Sequence, residues 1–512
     1  MAKHLPHEII QTILSHSRPW NLPTLSLVCR LWQALAFPFL YRTILLERYR
    51  DATLLVDRIN AETEDTRLRI TDCARNLVID LLTPDDVRVQ ANEKRFCLAI
   101  SKLVHVERLK FGPTGWLTID LQLLMPTLNP LKLKYLSLKL DLMDTNYVCS
   151  SILSTLHHDN LFLLFSAMLD LFKDLLHISV EMSGYLGIGG YTEPSEPVTL
   201  LAAMIRASPE LEYLSLTFPH YELEGIVEPS MGYLFSQLSG DVFPRLRTLR
   251  AVSELISPTS PPLRHFLLNH PELSTLAFSS LHKSMPRVFG ADEIAAIVPA
   301  VRHFEGPAYQ VKPLLESKIS GQLESLSICG SILGWDKDLD LIMRNLSRRP
   351  LPELSALRVL RVEPKIYIGY ITHILAAAPE LEVLEVFGYI NALYSPSEYS
   401  QLFLQMITLV PRLRVLAVVE SGEQDDDNLQ PTYKSVMNFL ECVTAACPQL
   451  DTIHHMQSSA WAGTWRLRYF GSNEEVRVYT YRRMWHLFPL LGLPCVERPS
   501  GLGSWSRLHG IH

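Results

Sequence analysis

Residues 199–218 read TLLAAMIRAS PELEYLSLTF, and the architecture follows from this stretch. Thr199 to Ala207 places apolar residues at helical spacing. The helix should stop ahead of Pro209, because the residue before a proline is pushed out of the α region. Beyond the proline the period changes. Leu214 and Leu216 fall on one side of an extended chain, and Ser215 between them points to the other. Leu211, three positions before Leu214, turns the chain into that strand. Helix, proline turn and short strand together form one supersecondary unit.

The unit recurs. Pro244 leads Leu246 and Leu249, Pro271 leads Leu273 and Leu276, and Pro379 leads Leu381 and Leu384. Pro411 leads Leu413 and Leu416, and Pro448 leads Leu450 and Ile453. Copies without the proline centre on Leu109, Leu136, Ile178, Leu326 and Leu360, with degenerate ones at Leu77 and Phe304. Steps between centres run from about 22 to about 42 residues, the size of a supersecondary repeat. Apolar segments at helical spacing precede several copies, as in 370–378, 399–410 and 433–447. No single copy can bury its own leucines, but a stack of them can. The expected fold is therefore α/β: a curved solenoid with a parallel sheet on its concave side and helices on its convex side.

The chain has 512 residues, 47% hydrophobic and 20% charged, which is ample material for a core. The net charge is −7. Residues 1–50 hold a local balance of +4, which leaves −11 on the remainder. An acidic body is a poor binder of phosphate backbones, so nucleic acid is not an expected partner. The most apolar stretch, Leu161 to Leu169, is far short of a membrane span, so no membrane is expected either. Eight scattered cysteines, with no CxxC pair and no secretory signal pattern, suit reduced thiols in the cytoplasm or nucleus.

Candidate chemistry is sparse. Gly187 to Gly190 lacks the preceding strand and following helix of a phosphate loop. His157-His158 and His454-His455 are adjacent pairs whose rings diverge on any regular element. Cys442 and Cys447 are more than one helical turn apart. Asp425 to Asp427 reads as a solvated loop. No catalytic constellation, cofactor or metal is expected, and the chain is not expected to be an enzyme.

The first residues differ from the rest. Leu5-Pro6-His7-Glu8-Ile9-Ile10 opens a short helix, with Ile13 and Leu14 following at helical spacing. After a break containing Arg18-Pro19-Trp20 comes Leu25-x-Leu27-Val28-Cys29-Arg30-x-Trp32-x-x-Leu35, closed by Pro38, Leu40 and Tyr41. As a set these residues closely resemble an F-box, and the body resembles the irregular leucine-rich repeats that often follow one in fungal F-box proteins. The resemblance implies three helices that dock on the Skp-type adaptor of a cullin-RING ubiquitin ligase, and repeats that hold an unknown protein substrate. The adaptor contacts it implies are Leu5, Pro6, Glu8, Ile9, Ile10, Leu25, Val28, Cys29 and Trp32. Outward positions of the repeat strands are the candidate substrate contacts: Tyr213, Ser215, Arg250, Arg361, Glu385 and His454.

The expected division is an F-box over 1–45, a connector over 46–69 and the irregular solenoid over 70–458. An aromatic cap over 459–493, dense in Trp461, Trp465, Tyr469, Phe470, Tyr479, Tyr481, Trp485 and Phe488, would cover the last leucines. A flexible Gly/Ser-rich tail, 494–512, ends the chain.

Overall fold

The computed structural model describes residues 5–17, 21–47, 49–63, 65–80, 89–112, 132–141, 172–183, 195–218, 231–252, 260–279, 289–329, 351–362, 368–388, 398–420, 442–443, 445–450, 452–456, 463–466 and 479–482. The chain divides into two compact units, Met1–Glu272 and Leu273–His512.

The first unit opens with three helices, α1 (His7–His16), α2 (Leu22–Ser26) and α3 (Arg30–Leu40). Strand β1 (Thr43–Leu46), α4 (Tyr49–Asn60) and the one-turn α5 (Ile70–Cys73) lead to β2 (Asn76–Ile79). There follow α6 (Val89–Ile100), β3 (Arg108–Phe111), β4 (Tyr135–Asp141) and β5 (His177–Ser183). The unit continues with α7 (Ser195–Arg206), β6 (Tyr213–Thr217), α8 (Met231–Leu238), β7 (Thr248–Val252) and α9 (Pro261–Leu268). Strands β1 to β7 pair in chain order, all parallel. Parallel neighbours need a crossover between them, and described helices supply it from β1 to β2, β2 to β3, β5 to β6 and β6 to β7.

The second unit repeats the scheme. It runs β8 (Thr275–Ser279), α10 (Ala291–Ile297), β9 (His303–Pro307), α11 (Ala308–Glu316), β10 (Ser325–Cys329) and β11 (Val359–Val362). Then come α12 (Ile368–Ala377), β12 (Val383–Gly388), α13 (Glu398–Ile407), β13 (Val415–Glu420) and β14 (Thr452–Met456). These strands are again parallel and in chain order. The ladder then changes direction: β15 (Gly463–Arg466) and β16 (Tyr479–Arg482) add antiparallel after β14.

Register explains the leucine series. Ile44, Leu77, Leu109, Leu136, Ile178, Leu214 and Leu249 are direct partners from strand to strand in the first unit. Leu276, Phe304, Leu326, Leu360, Leu384, Leu416 and Ile453 form the same column in the second. All are buried. A second inward column lies two residues on, from Leu46 through Phe111 and Val180 to Leu216, and from Phe278 through Ile328 to Val418. A one-residue slip would send both columns to solvent, so the register is held by burial.

The proline has a second role beyond ending a helix. The Leu211 N–H donates to the Ser208 carbonyl, which places Pro209 second in a four-residue turn. The same bond joins Leu246 to Phe243, Leu381 to Ala378, Leu413 to Val410 and Leu450 to Cys447. Proline suits that second position because its φ is already set for the turn. Each repeat then hands on one carbonyl that accepts two N–H groups from the next repeat. Arg75 takes those of Glu107 and Arg108, Leu176 those of Glu212 and Tyr213, and Arg358 those of Glu382 and Val383. Two buried polar side chains reinforce the joints. Ser208 Oγ accepts the Leu175 N–H at 3.1 Å. His270 Nε2 accepts the Phe243 N–H at 2.9 Å while its Nδ1–H donates to the Phe266 carbonyl at 2.6 Å. That pair of bonds fixes a neutral tautomer, and burial holds the His270 pKa below the usual imidazole range.

The α/β architecture expected from the sequence is present: three N-terminal helices, then parallel strands in leucine-rich repeats with helical crossovers. Strand β1 precedes residue 70, where the sequence pattern starts the repeats. The Gly187–Gly190 loop, His157-His158, Asp425 to Asp427, Arg18-Pro19-Trp20 and the 494–512 tail lie outside the described residues.

Candidate functional site

The N-terminal module closes around Ile10, Leu14, Leu22, Trp32 and Ala36, with Leu25, Cys29, Leu31 and Leu35 packed against that core. Helix α1 carries two apolar pairs at i, i+4 spacing. Ile10 and Leu14 face inward and are buried, whereas Ile9 and Ile13 are exposed. The two stripes sit about 100° apart on a helix of 3.6 residues per turn, and a three-helix module covers one of them. Leu5, ahead of the helix, is also exposed. So are Leu27 at 84% and Val28 at 52%, in the turn between α2 and α3. Helix α3 continues through Pro38 to Leu40, where the Tyr41 N–H bonds to Phe37 and the two rings meet at 4.5 Å. It also packs against α5, which ties the module to the first repeats.

Two of the expected adaptor contacts lie inside the module. Ile10 is fully buried and Trp32 is 6% exposed, because both fill the module's own core and leave little surface for a partner. Leu5, Pro6, Glu8, Ile9 and Val28 are exposed, and Leu25 and Cys29 are half-buried. Ile13 and Leu27 were not among the expected contacts, although both are apolar and exposed.

The second surface is the outward side of the strands. In the first unit, one outward row runs Arg108, Tyr135, His177, Tyr213, Thr248 across β3 to β7. The Arg108 guanidinium lies 4.1 Å over the Tyr135 ring. Tyr135 and His177 stand 5.5 Å apart and tilted, and His177 stacks on Tyr213 at 3.6 Å. Burial, and then the Arg108 charge, push the His177 pKa down to about 4, so the ring is neutral at neutral pH. The next outward row runs Lys110, Ser137, Ser179, Ser215, Arg250. Beyond it, Lys139 and Glu181 pair at 2.8 Å.

In the second unit the first outward row becomes apolar over β11 to β13, as Val359, Val383 and Val415. The next row there holds Arg361 beside Glu385, joined Nε to Oε2 at 2.6 Å. His303, on β9, has its pKa lowered by burial, with Glu324 acting against the shift.

Each expected strand contact can now be placed. Tyr213 is half-buried in the aromatic row. Ser215 takes an outward position but is only 6% exposed among its neighbours. Arg250 is half-buried at the end of the serine run, and Arg361 and Glu385 bind each other. His454 sits at an outward register position on β14, and its side chain lies outside the described residues. Tyr213, Ser215 and Arg250 therefore share one surface, and Arg361 and Glu385 another. Arg108, Tyr135 and His177 escaped the sequence reading although each directly precedes a column residue, as Tyr213 does.

Among the described residues no group of three or more His, Cys, Asp or Glu is placed to hold a metal. Cys447 is buried, its thiol pushed up to about 11 by burial, while Cys442 is exposed. Among the described residues no helix is long and apolar enough to cross a membrane.

An F-box-like family model matches residues 2–47. No curated protein matches the chain. Among solved structures, the leucine-rich repeat-containing protein LegL7 from Legionella pneumophila is similar at 12% identity and a TM-score of 0.35, over 73% of this chain and 100% of that one.

Proposed function

We propose that this chain, an F-box-like domain joined to leucine-rich repeats, is the substrate-recognition subunit of a Skp-cullin-F-box ubiquitin ligase. The helical module docks on a Skp-type adaptor and through it on a cullin-RING ligase, and the outward strand positions hold a protein target. The observation that carries the reading is the second apolar stripe. Ile9 at 47% exposed, Ile13, Leu27 and Val28 lie on a module of about 40 residues, too small to be robust alone, and an obligate partner would cover them. Leu5, Pro6, Glu8, Leu25 and Cys29 adjoin them in sequence, and Ile10 and Trp32 keep the module in shape from within. Tyr213, Ser215, Arg250, Arg361, Glu385 and His454 are target-side positions in this reading.

No side chain here acts chemically on the target. The contribution to rate is proximity: a target lysine is held near the charged conjugating enzyme. The reading places the protein in the cytoplasm or nucleus.

A second reading has one observation behind it. Helix α3 packs on α5, as it would if the module were an N-terminal cap on a scaffold that works without a ligase. Co-purification with a Skp-type adaptor separates the two, using wild type and Ile9→Ser/Val28→Ser. The ligase reading expects wild type to carry the adaptor and the variant to lose it with an unchanged circular dichroism spectrum. A wild type that carries none, or a variant that keeps it undiminished, sinks that reading.

A further inference from the structure

The first two outward rows of β3 to β7 offer hydrogen-bond donors and positive charge, and among these ten positions there is no carboxylate. In the aromatic row His177 and Tyr213 cover one face of each other, and Arg108 covers one face of Tyr135. An occupant can meet the ring edges, which carry the positive end of the aromatic quadrupole, and the two phenol hydroxyls. Arg108 is exposed and its guanidinium lies over the Tyr135 ring, so a carboxylate can reach it from solvent. Lys110, exposed on the same strand, stands two residues on and points to the same side. Four strands away, Arg250 closes the serine run, about 19 Å off at the ordinary strand spacing, which about six extended residues can span. The equivalent rows of the second unit contain Glu305 and Glu385 and an apolar valine run, so the donor character belongs to the first unit.

The geometry points to an extended acidic peptide, its aspartate and glutamate carboxylates laid across β3 to β7, as the ligand class of this face. The inference rests on the reading that the outward strand face is the receptor surface. A nucleic acid would also be anionic, but its evenly spaced phosphates call for a broad basic surface, and this chain carries −7 overall.

The test is fluorescence anisotropy on the full chain, with a labelled peptide alternating Asp and Glu with Gly and Ser, and its Asn/Gln counterpart. The acidic peptide should bind, and the amide version should bind at least about tenfold more weakly. Arg108→Gln/Lys110→Gln should weaken the acidic peptide about tenfold or more, and Tyr213→Phe severalfold, while Lys318→Gln, at an exposed position off the strands in the second unit, changes nothing. Should loss of the Arg108 stack disturb folding, Lys110→Gln alone carries the same expectation at smaller size. Equal binding of the two peptides, or cation variants as tight as wild type, overturns the proposal. So does an oligonucleotide of the same charge binding as tightly as the peptide. Adaptor co-purification on the same preparations keeps the two ideas apart. Peptide binding without the adaptor removes only the ligase reading, and adaptor binding without the peptide removes only this one.

Discussion

Strands β3 to β7 and strands β9 to β13 share their inward chemistry and differ in their outward chemistry. Inward, both present a column of Leu, Ile or Phe from strand to strand, almost wholly buried. Outward, the first set shows Arg108, Tyr135, His177 and Tyr213, and the second shows Val359, Val383 and Val415. The same backbone ladder accepts both. The repeat therefore constrains one face of each strand and leaves the chemistry of the other face free to vary.

The largest effects are expected from cutting the inward columns. Leu214→Ala and Leu384→Ala each remove a fully buried side chain at equivalent positions of the two units. Each should destabilise its unit by about 3 kcal/mol in chemical denaturation, and by similar amounts. A loss below about 1 kcal/mol at either position would mean that its column does not hold the fold.

On the outward side the two units should differ in their response to acid. The folded-state pKa of His177 is about 4 against an ordinary 6.5, so the unfolded chain binds the proton more readily. Stability held through His177 is complete above about pH 6.5 and is lost as the pH falls toward about 4. His303 shifts in the same direction, but Glu324 opposes the change. In melting curves between pH 7 and pH 4.5, His177→Gln should flatten the acid loss more than His303→Gln does. Equal flattening would deny the aromatic row its special burial. The smallest effect belongs to Arg361 and Glu385, whose side chains are each 23% exposed. A double-mutant cycle with Arg361→Gln and Glu385→Gln should give about 1 kcal/mol or less, because water still screens the pair.

Much of the fold was legible because burial writes a period into the sequence. Every centre in the leucine series, from Leu77 to Ile453, falls into one of the two register columns. Ile44 was missed because neither a proline turn nor a leucine three residues earlier announces its strand; Tyr41 stands there instead. The site was less legible. Ile9 and Ile13 have the same spacing as Ile10 and Leu14, and only the packing of α3 decides which pair turns inward. Trp32 is an expected contact through the F-box resemblance, and nothing in the sequence marks it as a residue that the module itself encloses. The aromatic row was hidden for a different reason. Arg108, Tyr135, His177 and Tyr213 are far apart in sequence, and only the register makes them adjacent.

In the ligase reading the module's second apolar stripe is the docking surface, and the strands are not part of it. Hydrogen–deuterium exchange of the full chain, with and without a purified Skp-type adaptor, tests this directly. New protection should appear in 5–16 and in 21–29, which span α1, α2 and the Leu27-Val28 turn, with β3 to β13 unchanged. Protection confined to the strands, or none at all under saturating adaptor, would rule that docking out.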